Sequence, residues 1–198
     1  MGLDLDPLDG QTGLEDDEKE GLRISTITSH GELDEYEQFN IEKAVEWTIP
    51  KKFKAEDLLS EDIIKLLHKK MFNDIWKWAG EFRRTEKNIG VDWIQIGINL
   101  RMLLDDAKIW IANKVYPPEE IAIRFKHRLV SIHCFPNGNG RHSRIMADLI
   151  IEKIFDEPIF TWGNSNMTKA DETRQHYIQA LKDADNGNIG PLIEFARS

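Results

Sequence analysis

Between two stretches of helical apolar spacing the chain carries Phe135-Pro136-Asn137-Gly138-Asn139-Gly140, a run that neither a strand nor an unbroken helix can absorb. Pro136 removes a backbone donor, and glycines interleaved with asparagines favour the turn and left-handed conformations that end helices. Upstream, Pro117-Pro118-Glu119-Glu120 opens a helix in the usual way, with proline and acids at its positive end. Ile121, Ala122, Phe125, Leu129 and Ile132 then recur on one face up to about His133. Downstream, Arg141 to Phe155 resumes the helical period. The spacing therefore predicts two helices joined by a tight loop.

The remaining pattern is also helical. Asp34 to Thr48 reads as a helix with Tyr36, Phe39, Val45 and Trp47 sharing much of one side, and Pro50 ends it. Ser60 is a good N-cap for a stripe of Ile63, Ile64, Leu67, Met71, Phe72, Ile75 and Ala79, with Gly80 as its left-handed stop. Residues 81–97 lose the helical period and are expected to form a short hairpin or extended flap. Leu100 to Lys114 is helical again. Thr168 to Asp171 resembles a capping box leading a helix to about Ala184, and Ile193 to Ala196 can close with a short one. The expected fold is mainly α, a helical bundle with one short β-hairpin flap.

With 198 residues, 40% of them hydrophobic, the chain can bury the core of a single domain. Its net charge of −9 is uneven: residues 1–20 hold eight acids and one base, hence −7 of that total. We expect a flexible acidic tail over 1–22, a helical segment over 23–54 and the core domain over 55–198. The body lacks the clustered Lys and Arg of a nucleic-acid surface. No apolar run approaches a membrane span, and no secretory pattern opens the chain. Cys134 is the one cysteine, which excludes an intrachain disulfide and suits a reducing, cytoplasmic compartment.

The loop also carries chemistry. A helix starting near Gly138–Gly140 offers free N–H groups and a positive dipole end, and glycine lets an anion come close to them. Arg141 and Arg144, three apart, lie on the same side of that helix, and forked guanidiniums suit phosphate oxygens. His133, at the mouth of the loop, can take a proton near neutral pH. Taken singly, each residue is an ordinary cap or surface group. Together on one loop they outline a polyphosphate site with a base beside it.

These residues resemble the Fic family signature, H-x-F-x-[DE]-G-N-G-R-x-x-R, which His133, Phe135, Gly138, Asn139, Gly140, Arg141 and Arg144 match. Asn137 departs from it, standing where the family has Asp or Glu. The resemblance extends through Trp78-Ala79-Gly80-Glu81-Phe82-Arg83 and covers roughly 55–195. The Gly-Glu-Leu at 31–33 and the Trp-Ala-Gly-Glu-Phe-Arg block resemble the subgroup called mobile mystery protein B, found on bacterial mobile elements.

The resemblance implies transfer of AMP from ATP to a Ser, Thr or Tyr hydroxyl of a target protein, with Mg²⁺ or Mn²⁺, in a toxin-like enzyme. His133 is then the base, and Gly138, Asn139 and Gly140 cradle phosphates that Arg141 and Arg144 hold. Phe135 is the buried anchor, Asn137 the metal-facing position, and the hairpin of 89–97 the dock for the target. A catalytically weak nucleotide-binding or interaction protein, or an enzyme removing AMP, would use the same scaffold. Many Fic proteins hold themselves inactive through a glutamate in [ST]-x-x-x-E-[GN] that pairs with the second motif arginine. Thr28 to Glu32 has that spacing, with Leu33 at the last position, so a Glu32–Arg144 pair is expected.

Overall fold

In the computed structural model, which describes residues 16–163 and 170–198, the helices run in order as α1 Asp16–Lys19, α2 His30–Thr48, α3 Ala55–Leu58, α4 Glu61–Phe72, α5 Ile96–Asn113, α6 Pro118–Ile132, α7 Asn139–Lys153, α8 Ala170–Asp185 and α9 Gly190–Arg197. A single 3-10 turn, Trp93–Gln95, leads into α5. The Thr168 end of the expected capping box lies outside the described residues.

The helices begin and end where local chemistry allows. Ser60 accepts from the Ile63 amide and starts α4, with Glu61 and Asp62 in its first turn. Beyond α4, Gly80 takes φ 85, where an added Cβ would lie 2.9 Å from Lys69 Cβ. Lys114 stops α5 in a left-handed conformation. Pro118 opens α6, and the five apolar residues expected inward on it are all buried. α6 packs on α7, α5 on α6, α2 on α4 and α8 on α9. Between them lies a core that includes Leu67, Phe72, Trp76, Leu103, Phe125, Met146 and Ile150. None of the described helices is long and apolar enough to cross a membrane.

Three expectations are corrected. No strand is formed among the described residues; the one bridge joins Leu22 to Trp76. Residues 81–92 make no hairpin because their polar groups bond elsewhere. The Arg83 amide donates to the Cys134 carbonyl and the Val91 amide to the Ile132 carbonyl. Arg83's side chain takes the carbonyls of Thr85, Val91 and His133. The second correction concerns α2, whose inward face is Leu33, Glu37, Asn40, Ile41, Ala44 and Thr48, while Tyr36, Phe39 and Val45 are exposed. The helix starts at His30 rather than Asp34, and packing of Leu33, Ile41 and Ala44 in the core sets which side faces inward. Third, the last part of the expected tail is packed. Arg23 N–H donates to Ile75, Lys77 N–H to Gly21, and Trp78 Nε1–H to the Glu18 carbonyl. The Glu18 carboxylate forms a buried ion pair with Lys87 and accepts from Thr85.

Candidate functional site

The loop between α6 and α7 is held from all sides. His133 ends α6 at φ 57 and ψ 61, the left-handed slot that glycine usually fills. Its carbonyl accepts from Arg83 Nε at 2.6 Å. Gly90 crosses just above it at φ 105, where a Cβ would lie 2.7 Å from His133 Cβ. His133 is therefore 4% exposed. Burial first, then the charges of Arg83 and Lys87, push its imidazole from 6.5 down to about 4. At neutral pH it is an uncharged ring, the form a proton acceptor needs.

Beyond His133 the loop folds around two side chains. Phe135 is fully buried and stacks on His68, with ring centroids 3.7 Å apart. Asn139 clamps the backbone of Phe135, accepting from its amide at 2.9 Å and donating to its carbonyl at 2.7 Å. The side chain of Asn139 thus staples the loop; what it can offer a phosphate is its main-chain N–H. Gly138 turns at φ 78 with its α-carbon against Phe72. The first-turn amides of α7, at Asn139, Gly140 and Arg141, face out of the helix end. An added Cβ at Gly140 would meet nothing within 4 Å, so the side of the helix at Gly140 is uncrowded.

The two arginines have different surroundings. Arg144 lies 4.4 Å over Tyr177 and 5.8 Å from Trp162, and its Nε is buried with no hydrogen-bond partner among the described residues. An orphaned guanidinium nitrogen suits a phosphate oxygen. Arg141 lies over Phe72 and pairs at 2.6 Å with Glu37 of α2. Glu37 is 3% exposed and also accepts from Trp76 Nε1 at 2.7 Å. The expected Glu32–Arg144 pair is not formed. Glu32 sits in the first turn of α2, exposed, and accepts from the amide and hydroxyl of Thr28. Those two bonds hold its carboxyl below the ordinary range. The acid that reaches the loop comes from deeper in the same helix.

Asn137 Oδ1 accepts from the Gly138 amide at 2.6 Å, which occupies one of its two lone pairs. No cluster of three or more His, Cys, Asp or Glu among the described residues could hold a metal ion. Cys134 is buried and its thiol is pushed up to about 12, which leaves it inert as a nucleophile.

The Fic/DOC family model matches residues 58–151. That stretch is a Fic/DOC family domain. It takes in His133, the loop and most of α7. Named relatives include "protein adenylyltransferase Fic" of Aedes aegypti, 27% identical over 120 residues, which are 59% of this chain and 22% of that protein. The protein of the same name from Nematostella vectensis is 25% identical over 145 residues, 72% of this chain and 32% of that one. The chain thus spans roughly a quarter to a third of the curated relatives it matches. Among solved structures, BepC of Bartonella tribocorum with bound AMPPNP superposes with a TM-score of 0.68 at 18% identity, covering 92% of this chain and 97% of that one. A Bartonella quintana Fic domain with bound ADP gives 0.62 at 15% identity, covering 87% and 86%. Identities this low show a shared fold. These matches support the family and go no finer, so the mobile mystery protein B subgroup is not supported.

Sequence reasoning missed Glu37, His68 and the role of Arg83 at this site. Each left a trace: an acid and a histidine stand inside the apolar stripes of α2 and α4, and Arg83 ends the aromatic block that starts at Trp78.

Proposed function

We propose that this protein transfers AMP from ATP to a hydroxyl side chain of a target protein and that α2 restrains the reaction. What carries the reading is the convergence, on one clamped loop, of a neutral imidazole, the first-turn amides of α7 and two arginines. The hydroxyl gives its proton to His133 as its oxygen attacks the α-phosphorus. The bond to the β-phosphate oxygen breaks and pyrophosphate leaves. Arg141, Arg144 and the amides of Asn139, Gly140 and Arg141 meet the charge that develops on the phosphates. Phosphate anions brought beside the ring favour the imidazolium and raise its proton affinity when substrate is bound. Gly138 and Phe135 fix the loop that orients these groups. Mg²⁺ or Mn²⁺, if used, arrives with the nucleotide's own oxygens as its main ligands.

Glu37 occupies Arg141 in the resting protein, so ATP has to exchange that carboxylate for a phosphate. Low basal activity is the consequence, and Glu37 takes the inhibitory part that the spacing assigned to Glu32.

The test uses ATP labelled at the α- or the γ-phosphate, incubated with a bacterial lysate and wild type, Glu37→Gly or His133→Ala. Label is expected from α-labelled ATP only, strongest with Glu37→Gly and lost in His133→Ala, with a general-base contribution of roughly 10²–10⁴-fold. Label from γ-labelled ATP would indicate phosphoryl transfer instead. No label on any protein with Glu37→Gly would overturn AMP transfer.

A further inference from the structure

His68 lies on α4, outside the loop, yet it touches both ends of the site's frame. It is fully buried. Its Nδ1 is 3.0 Å from the Gly80 amide and its Nε2 3.1 Å from the Asn137 carbonyl. A backbone amide can only donate, so Nδ1 accepts; a carbonyl can only accept, so Nε2 carries the proton. The two bonds thus fix one neutral tautomer. The ring is flat against Phe135, 15° from parallel, and Phe72 lies 4.8 Å away on a tilt. His142 meets it edge-on and is itself bonded through Nε2 to the Ile64 carbonyl. Burial, with the charges of His142 and Arg141, holds His68 well below its ordinary pKa.

The bond to Asn137 matters because of the peptide it grips. The Asn137 carbonyl belongs to the peptide whose N–H, at Gly138, donates to Asn137 Oδ1. That peptide enters the left-handed turn from which α7 starts. If it rotates, the amides of Asn139, Gly140 and Arg141 change direction together. Packing alone could be met by any flat ring on Phe135. A ring with a donor at Nε2 and an acceptor at Nδ1 also fixes the direction of the carbonyl.

We propose that His68 is a positioning residue, its Nε2–H donated to the Asn137 carbonyl setting the orientation of the first-turn amides of α7. The kinetic part of this proposal rests on AMP transfer being the reaction of the site; the structural part does not. Two substitutions separate the bonds. In His68→Gln the amide nitrogen stands where Nε2 was and can still donate to Asn137. In His68→Asn the oxygen stands where Nδ1 was and can still accept from Gly80, but the donor to Asn137 is gone.

A purely structural role would cost both variants alike in melting temperature and in activity. Positioning predicts similar melting temperatures but a roughly 10–100-fold lower kcat for His68→Asn, with a much smaller change in KM for ATP. His68→Gln should recover most of that loss. Amide hydrogen exchange read at residues 138–141 should be faster in His68→Asn than in His68→Gln, whether or not AMP is transferred. Equal exchange and equal kcat in the two variants would overturn the proposal. If neither variant folds, the unaltered protein decides: the His68 ring nitrogens should report the Nε2–H tautomer and shift when ATP is added. An Nδ1–H tautomer, or shifts indifferent to ATP, would overturn it. Faster exchange in His68→Asn without any AMP transfer by wild type would sustain His68's role and refute the reaction assigned to the site.

Discussion

Acid should unfold this domain, and the buried histidines set where. His133 and His142 are each pushed from 6.5 to about 4, both chiefly by burial. Above pH 6.5 such a histidine is neutral whether the chain is folded or not and contributes nothing. Between 6.5 and about 4 the unfolded chain takes up a proton that the folded one refuses, so stability falls as pH falls. At roughly 1.4 kcal/mol for each pH unit between the two values, the loss is about 3 kcal/mol per histidine. His68 acts in the same direction. Asp148 acts oppositely: burial raises it from 3.8 to about 6, so folding gains as pH falls through that window, by about 3 kcal/mol. It offsets one histidine and leaves the rest. The net loss is a large share of the ~5–15 kcal/mol that holds a domain together. Urea unfolding followed by circular dichroism at pH 7.5, 6.5, 5.5 and 4.5 would measure it. The midpoint should drop steadily below pH 6.5. His142→Gln keeps a donor to Ile64 but cannot titrate, so it should remove about half of the loss that His133 and His142 cause together. A midpoint that holds or rises down to pH 4.5 would refute the reasoning. So would a fall in kcat/KM centred on pH 6.5 while the fold stays intact, since that profile reports the free enzyme and would mean His133 titrates as an exposed histidine.

Two substitutions test the frame around the loop. Gly138→Ala places a Cβ 2.5 Å from the Phe72 ring at φ 78 and should cost roughly 2–4 kcal/mol; a melting temperature equal to wild type would show that the turn relaxes freely. Arg83→Met removes the donors to Thr85, Val91 and His133, so limited proteolysis should cut residues 84–92 much faster, and an unchanged cleavage rate would mean that Gly90 and the Glu18–Lys87 pair hold the segment without it.

The sequence made most of the helices legible because their starts are written in single residues, Ser60, Pro118 and Gly138, whereas α4 ends at Phe72 and not at the expected Gly80. It also made the loop legible, since few sequences put His133, Gly138, Gly140, Arg141 and Arg144 at that spacing. The flap was misread because loss of helical period says only that a segment is not helical. Whether Arg83 and Val91 bond to each other's neighbours or to residues 132–134 depends on contacts some fifty positions away. The part played by Glu37 is illegible for the same reason. Local spacing from Thr28 fits Glu32, and Thr28 is indeed what Glu32 bonds. Only the rotation of α2 on α4 decides that Glu37 faces Arg141, and that rotation is set by packing of Leu33, Ile41 and Ala44.

Glu37 and Arg141 belong to one chain and are held within reach of each other by the packing of α2 on α4. Their encounter is therefore governed by an effective concentration fixed by the fold, and not by how many molecules a cell makes. A restraint supplied by a separate protein fails when its partner is overproduced or when the two are diluted. If Glu37 restrains transfer as proposed, the restraint is present on every copy that has folded, at any expression level. Its release would then have to come from what competes for Arg141, or from what disturbs α2, and the dose of the protein itself would not be a control.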